Sequence, residues 1–351
     1  VIFFDVTKSG AAGHASGLMR LNTRLGAELG ASASPVTWPE AANAAGEGDW
    51  FLTSELFSEA ERPGFGSFLS RRRFRAAAIF SDAIPLKFPH ITWPRSVARH
   101  PGYLKLLAGF DLILANSEAS REELIGFWRW QGAPSIPPVE VLQLGADFMP
   151  GRRRSPSPAP DSRLPASRLP SLLCVGIIEP RKNQAFLLDV CEELWTEGLR
   201  FGLDLVGRVN PVFGRELAAR IRTLARKRPE LRGHGAVGDA EMARLYATAR
   251  ASVLPTLAEG CGLPLLESLW MGVPSVCSDL PPLLENAAGG GCLPVACGDR
   301  AAWKAALRSV LTDDTLRARL AAEAGSRPLP TWADTARALR AALGGKGSGL
   351  V

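Results

Sequence analysis

The chain has 351 residues, of which 46% are hydrophobic and 22% charged, the proportions of a globular protein long enough for two domains, each with its own core. No run of 18 or more apolar residues and no signal peptide is legible, which argues against a spanning helix. A formal charge of +6 admits an anionic partner without selecting one.

In chain order, VIFFDVT from Val1 is the first strand-like run, and KSGAAGHASG follows as a glycine loop opening into a helix near residues 17 to 29. Gly13 and Gly17 would let that backbone approach a ligand closely, although the spacing is not the dinucleotide fingerprint. His14 suits an exposed side chain better than a sugar contact. The strand AAAIFSD ends at Asp82, a candidate acid or base and nearly as well a turn-capping residue. A helix near 94 to 109, the strand DLILANS, the helix begun by SEASREEL and the strand VEVLQL complete the first half. RRRFR at Arg71, RRR at Arg152 and FWRW at Phe127 raise nucleic acid or anionic lipid as partners. Non-specific basic surface and helix packing are the simpler readings, so no nucleic-acid partner is expected.

GRRRSPSPAPDSRLPASRLPS has almost nothing to bury and is predicted to be an exposed linker. Beyond it LLCVGII, FGLDLVGRV, a strand before Gly238, ASVLPTL and PSVCSDL alternate with helical periodicity. Such alternation predicts parallel sheets with crossover helices. The implied architecture is α/β, two doubly wound Rossmann-like domains facing each other across a cleft, with ligands at the carboxyl ends of the strands. The predicted boundaries are 1–150 for the first domain, 151–170 for the linker, 171–328 for the second domain, 329–343 for a last amphipathic helix and 344–351 for a flexible tail. All six cysteines fall in the second half, mostly in apolar segments, as buried thiols in a reducing cytoplasm would. Neither a CxxC pair nor a D-x-D pair occurs, so no metal is expected.

The stretch EGCGLPLLESLWMG, residues 259 to 272, carries the most chemistry. Gly260 and Gly262 flank Cys261, and Pro264 suits the first position of a helix because its missing N–H costs nothing there. Leu265, Leu266, Leu269 and Trp270 form an apolar face, and Gly272 suits the position just past the end. A strand, a glycine turn and a helix N-terminus leave backbone N–H groups pointing at one spot, which favours phosphate. Glu259 at the turn and Glu267, expected in the first helical turn, are suited to accept from neutral sugar hydroxyls. An acid there is also a favourable dipole partner without a ligand.

Glu259 and Glu267 with the intervening GCGLPLL resemble the E-x7-E signature of family 4 glycosyltransferases. SLLCVGIIEPRKNQAFLLDVCEEL from Ser171, VGDAEMARLYATARASVLPTLAEG from Val237, and DAIPLKFP, DLILANSEASREEL and VLQLGAD in the first half extend the likeness. The resemblance implies the GT-B fold and a retaining, metal-independent hexosyltransferase using a nucleoside diphosphate sugar, UDP- or GDP-linked. Its acceptor would be a glycan, a lipid-linked or a small-molecule hydroxyl. By position, Glu267 would accept from the ribose, Glu259 would lie near the hexose, and the N–H groups of Cys261, Gly262 and Leu263 would meet sugar and phosphate. Val237 and Gly238 would lie near the base. Arg181 and Lys182, in an RKN run expected to open a helix, would stabilise the departing diphosphate. Many members carry a further cation after the strand glycine, where this chain has Ile177, so Arg208 is the candidate replacement. Related sequences often place histidine or tyrosine beside the first-domain aspartate, where this chain has Ser81. A helix like the last one crosses back to the first domain in that family. The implied location is cytoplasmic, with peripheral association at the inner membrane face. A catalytically silent sugar-nucleotide-binding protein and a non-hydrolysing epimerase of the same architecture stand as alternatives.

Overall fold

A computed structural model describes residues 1–11, 17–148 and 169–345. Gly13, His14, the arginine run at Arg152, nearly all of the expected linker and the tail from 346 lie outside them. The chain divides into two compact units, Val1–Gly145 with Pro330–Val351, and Ala146–Leu329.

In the first unit, β1 (Ile2–Asp5), β2 (Ala33–Val36), β3 (Trp50–Thr53), β4 (Arg75–Phe80), β5 (Leu112–Ala115) and β6 (Val139–Val141) form one sheet in the order β2-β1-β3-β4-β5-β6. All pairs are parallel. β3 and β5 are buried throughout and β4 beyond its first residue, as helices on both faces of a parallel sheet require. β2 and β3 escape the sequence pattern. β2 is ASPV, a half-exposed edge strand in which proline is tolerated, and β3 is the buried run WFLT.

The chain runs from β1 to β2 on one side and then to β3 on the other, which opens a switch point at the carboxyl ends of β1 and β3. A charge cluster fills the protein beneath it. Arg62, 1% exposed, donates from Nη1 to Asp5 at 2.8 Å and from Nη2 to Glu55 at 2.5 Å. Asp5 also accepts from Thr53 at 2.7 Å and Thr7 at 2.5 Å. Glu55 accepts from the backbone amides of Lys8 and Ser9, each at 2.7 Å, and so fixes the chain where it leaves β1. Burial and the nearby Asp5 charge push the Glu55 carboxyl above its ordinary range.

The helix Trp332–Gly344 belongs to this first unit. Thr331 and Asp334 close a capping box at its start. Thr335 donates to the Gln143 carbonyl at 2.9 Å, and the Trp50 indole donates to the Leu343 carbonyl at 2.8 Å. The chain at Gly145 runs so close that a Cβ there would lie 2.3 Å from the Trp332 nitrogen.

The second unit contains β7 (Ser171–Val175), β8 (Gly202–Val206), β9 (Leu231–Gly235), β10 (Ala251–Leu254), β11 (Ser275–Ser278) and β12 (Cys292–Val295), again all parallel, in the order β12-β11-β10-β7-β8-β9. β12 was not legible because Pro294 interrupts it, and as an edge strand it tolerates that residue. The switch point lies between β7 and β10. Five cysteines are buried thiols and Cys297 is exposed, against the expectation that all would be buried.

Replacing Arg62 by methionine would leave two carboxylates buried side by side. The expected loss is about 3–5 kcal/mol of stability at neutral pH, measured by urea unfolding.

Candidate functional site

The donor-side residues gather at the second switch point because loops after β7 and β10 must emerge there together. After β7 the chain passes Gly176, over which the methylenes of Lys182 fold so closely that a Cβ would sit 3.3 Å from them. Pro180–Lys182 is a 3-10 turn, and Asn183 takes a left-handed conformation (φ 56°) before the helix Gln184–Thr196. Arg181 and Lys182 therefore lie in a turn just ahead of the helix, and Asn183, the last residue of the RKN run, caps its start. This turn keeps both cations at the sheet edge instead of winding them around a helix.

After β10 the loop brings Glu259 to them. Lys182 Nζ pairs with Glu259 Oε1, and Arg181 Nη1 lies 3.5 Å from Oε2. The Glu259 side chain is 7% exposed. Burial alone would raise its pKa, but the Lys182 and Arg181 charges outweigh burial and hold the carboxyl below its ordinary range. Arg181 is further held by the Ala258 carbonyl at 3.1 Å and by Glu179 at 2.9 Å. Glu179 in turn accepts from Asn210 at 3.0 Å, and the Arg181 carbonyl accepts from Leu257 N at 2.8 Å and Thr256 Oγ1 at 2.9 Å. Glu179, Thr256 and Asn210 were not singled out from sequence, although Glu179 stands in the same EPRKN run.

β7 and β8 stay linked past their ends, with Ile178 N bonding to the Arg208 carbonyl at 2.9 Å. Arg208 therefore stands at the same carboxyl edge, and its buried Nε has no hydrogen-bond partner among the described residues.

Gly262 caps the next helix in a left-handed conformation (φ 83°) and packs so tightly that a Cβ would fall 2.4 Å from Leu283 Cδ2. A side chain there would be strained twice over. The helix is Leu263–Trp270, beginning one residue before Pro264, so Glu267 is its fifth residue and lies beyond the first turn. This corrects the expected placement: at 3.6 residues per turn Glu267 looks back along the helix from a buried position, 3% exposed. The buried Tyr246 reaches its Oε2 at 3.3 Å. Burial, followed by the Glu259 charge, pushes the Cys261 thiol up to about 12, so Cys261 offers its backbone and a neutral thiol. Gly238 caps the helix Asp239–Thr248, and Val237 packs against a cluster that includes Tyr246 and Met242.

Asp82 and Gly17 belong to the first unit. Gly17 is the exposed first residue of the helix Gly17–Leu29. Asp82 Oδ1 accepts from Ile84 N at 3.0 Å, a turn-capping contact. His100, on the helix Pro94–Leu107, donates to the Asp82 backbone carbonyl, and the Asp82 charge acts on buried Tyr103. Burial lowers His100 to about 4, so its ring is neutral. The basic run at Arg71 is partly engaged, with Arg72 pairing with Asp111 at 2.8 Å and Arg75 lying 4.3 Å over the Trp50 ring. In FWRW, packing explains Trp128, which is buried, but not Trp130, which is 83% exposed.

Residues 169–313 match the family model described as glycosyl transferases group 1. The O-antigen chain mannosyltransferase B of Escherichia coli is 30% identical over 264 residues, 71% of this chain and 65% of that protein. The serotype-specific mannosyltransferase WbdA of Escherichia coli is 30% identical over 225 residues, 61% of this chain. That stretch makes up only 28% of WbdA, so this chain corresponds to a fraction of its length. A crystal structure of Anabaena HepE in complex with UDP and glucose superposes with a TM-score of 0.72 over 98% of both chains at 15% identity. Two doubly wound units with a cationic, glutamate-bearing switch point define a GT-B protein. The likeness to the group 1 glycosyl transferases lies in the second unit, over residues 169–313.

Lys182→Met would leave the buried Glu259 with Arg181 alone, and the expected cost is about 3 kcal/mol at neutral pH. Because the folded pKa of Glu259 is depressed, the pair's contribution is complete above the ordinary value of 4.5 and lost as pH falls through the lower folded value. Urea unfolding across that range should show the variant and parent converging in acid.

Proposed function

We propose that this chain is a retaining glycosyltransferase that moves a hexose or deoxyhexose from a nucleoside diphosphate sugar to a hydroxyl of a glycan, lipid-linked or small-molecule acceptor. The carrying observation is the meeting of Lys182, Arg181 and buried Glu259 at the switch point between β7 and β10. On this reading the diphosphate lies against Arg181, Lys182 and Arg208, whose charge offsets what the leaving group gains as the glycosidic bond breaks. These three cations take the part a metal ion would otherwise play, so the reaction is metal-independent. The amides at Cys261, Gly262 and Leu263 add the helix N-terminus to the same anion. Glu267 accepts from the ribose hydroxyls, with Tyr246 orienting one of its oxygens, and the base rests near Val237 and Gly238.

Glu259 has a second part. Ahead of the donor it pairs with the two cations, and with the donor in place it stands near the hexose, where it steadies positive charge developing at the anomeric carbon. The oxygen of the leaving phosphate takes the acceptor's proton, with no covalent protein nucleophile. Asp82, set beside neutral His100, serves the acceptor side. The mannosyltransferase relatives favour mannose as the hexose and a polysaccharide as the product, and the buried free thiols suit a reducing cytoplasm.

Calorimetric titration with UDP, GDP, ADP and dTDP, with and without magnesium, tests the donor site. One diphosphate should bind selectively without metal, and Glu267→Ala should weaken it by about 1.5–3 kcal/mol, the worth of a charged hydrogen-bond acceptor. Failure of every diphosphate to bind the folded protein would remove the reading. Binding with no sugar transfer to any hydroxyl acceptor would favour a silent sugar-nucleotide binder, which Ile177 in place of a cation also suits.

Arg208→Ala is expected to lower affinity for the nucleoside diphosphate severalfold while barely changing that for the bare nucleoside, as paired titrations would show.

A further inference from the structure

At the switch point of the second sheet the charges nearly cancel before any ligand arrives. Arg181 is paired with Glu179 at 2.9 Å, and Lys182 is paired with Glu259. With Arg208 at the same edge, three cations stand against two carboxylates, a surplus of one positive charge. A free nucleoside diphosphate carries more negative charge than that surplus, so its phosphates must draw a cation away from one of the carboxylates.

The two carboxylates differ in what they keep when a cation leaves. Glu179 accepts on its other oxygen from Asn210, which is 3% exposed. Asn210 is fixed in its turn, accepting from Val212 N at 2.9 Å and donating its own N–H to the Ile178 carbonyl at 3.1 Å. Around Glu259 the charges are Lys182 and Arg181, and its further contact is the Thr256 hydroxyl, which the carbonyls of Arg181 and Ala258 also engage. A diphosphate that draws both cations toward itself leaves this buried carboxylate under-matched and sets it beside a like charge, which disfavours binding twice over. A hexose alters the balance, because its hydroxyls are neutral donors that a carboxylate accepts from.

We infer that Glu259 sorts the intact sugar nucleotide from the spent nucleoside diphosphate, because only a ligand that brings hexose hydroxyls gives Glu259 new partners while its phosphates take Lys182 and Arg181. This sorting rests on the donor reading proposed above, and it gives the site a direction. While the hexose is attached, the carboxylate and the cations are both satisfied and the donor is held. Once the glycosidic bond has broken and the hexose has gone to the acceptor, Glu259 pairs with Lys182 again and the diphosphate is released, a step that often limits turnover.

Calorimetry on the full chain tests this, with inorganic pyrophosphate, UDP, GDP, UDP-glucose and GDP-mannose as probes. Glu259→Gln removes the charge and keeps the shape and a hydrogen-bonding oxygen. Pyrophosphate, and the diphosphate that the parent binds, should bind this variant about tenfold or more tightly, as expected when a like charge a few ångströms away is removed. The sugar nucleotide should not gain, because its hexose loses an ionised partner, so the parent's preference for the conjugate over its diphosphate collapses. Glu259→Asp keeps the charge and should leave pyrophosphate affinity near the parent's. A damaged site would weaken every ligand together, so tighter diphosphate binding is a response that misfolding does not give. Diphosphate affinity unchanged or lowered in Glu259→Gln would overturn the inference and leave the donor reading standing. Should that variant fail to fold, the parent decides, because tighter binding of the free diphosphate than of either conjugate would also overturn it. No binding of any diphosphate to the folded parent would remove the donor reading and the inference with it.

Discussion

A carboxylate taken out of water must be met by positive charge, and in this protein that requirement organises the switch point of the second sheet. Glu259 is nearly buried, and two cations from a different loop converge on it. Neither loop is regular, so neither has a ladder to fix it; the ion pairs and the carbonyl of Arg181 tie them together. Glu179 and Asn210 then anchor Arg181 from behind. The arrangement holds two cations in place ahead of any anion, so little side-chain entropy remains to be lost when one arrives.

The first sheet answers the same geometric problem with the signs exchanged. Here one buried guanidinium, Arg62, joins two carboxylates from β1 and the loop after β3, and aromatic rings of Phe57 and Phe65 flank it at 4.9 and 5.3 Å. Glu55 passes the constraint on to two backbone amides. In both units, the loops at the point where strand order reverses are secured by charge and not by apolar packing. Such loops surround the place where a parallel sheet receives its ligands, and an apolar plug would close it.

The class of fold was legible because buried parallel strands such as β4, β5 and β7 are nearly continuous apolar runs, and the helices between strands carry a 3.6 period. β2 and β12 were hidden by proline on edge strands. The glycine turn and its two glutamates stand in one short stretch, so local spacing exposed them. What spacing does not expose is contact across distant segments. His100 reaches the Asp82 carbonyl from a separate helix, Tyr246 reaches Glu267 from 21 residues away, and Arg62 reaches Asp5 from 57. Glu267 lies one residue deeper in the helix than expected because Leu263, not Pro264, begins it. In the RKN run only the left-handed Asn183 caps the helix, and spacing does not show that Arg181 and Lys182 form a turn of their own.

The last helix, Trp332–Gly344, is packed with residues from the start of the chain, and Gly145 is narrow enough to let it seat. In connectivity the second unit is thus an insertion within the first. During synthesis a domain ordinarily settles as soon as its residues have left the ribosome. The first unit has to wait, with the groove that Trp50, Gln143 and Gly145 provide for that helix still uncovered, while the whole second unit is made and is free to fold. The order of assembly is therefore inverted with respect to the order of the sequence: the unit translated second is complete first, and it is present when the earlier one closes.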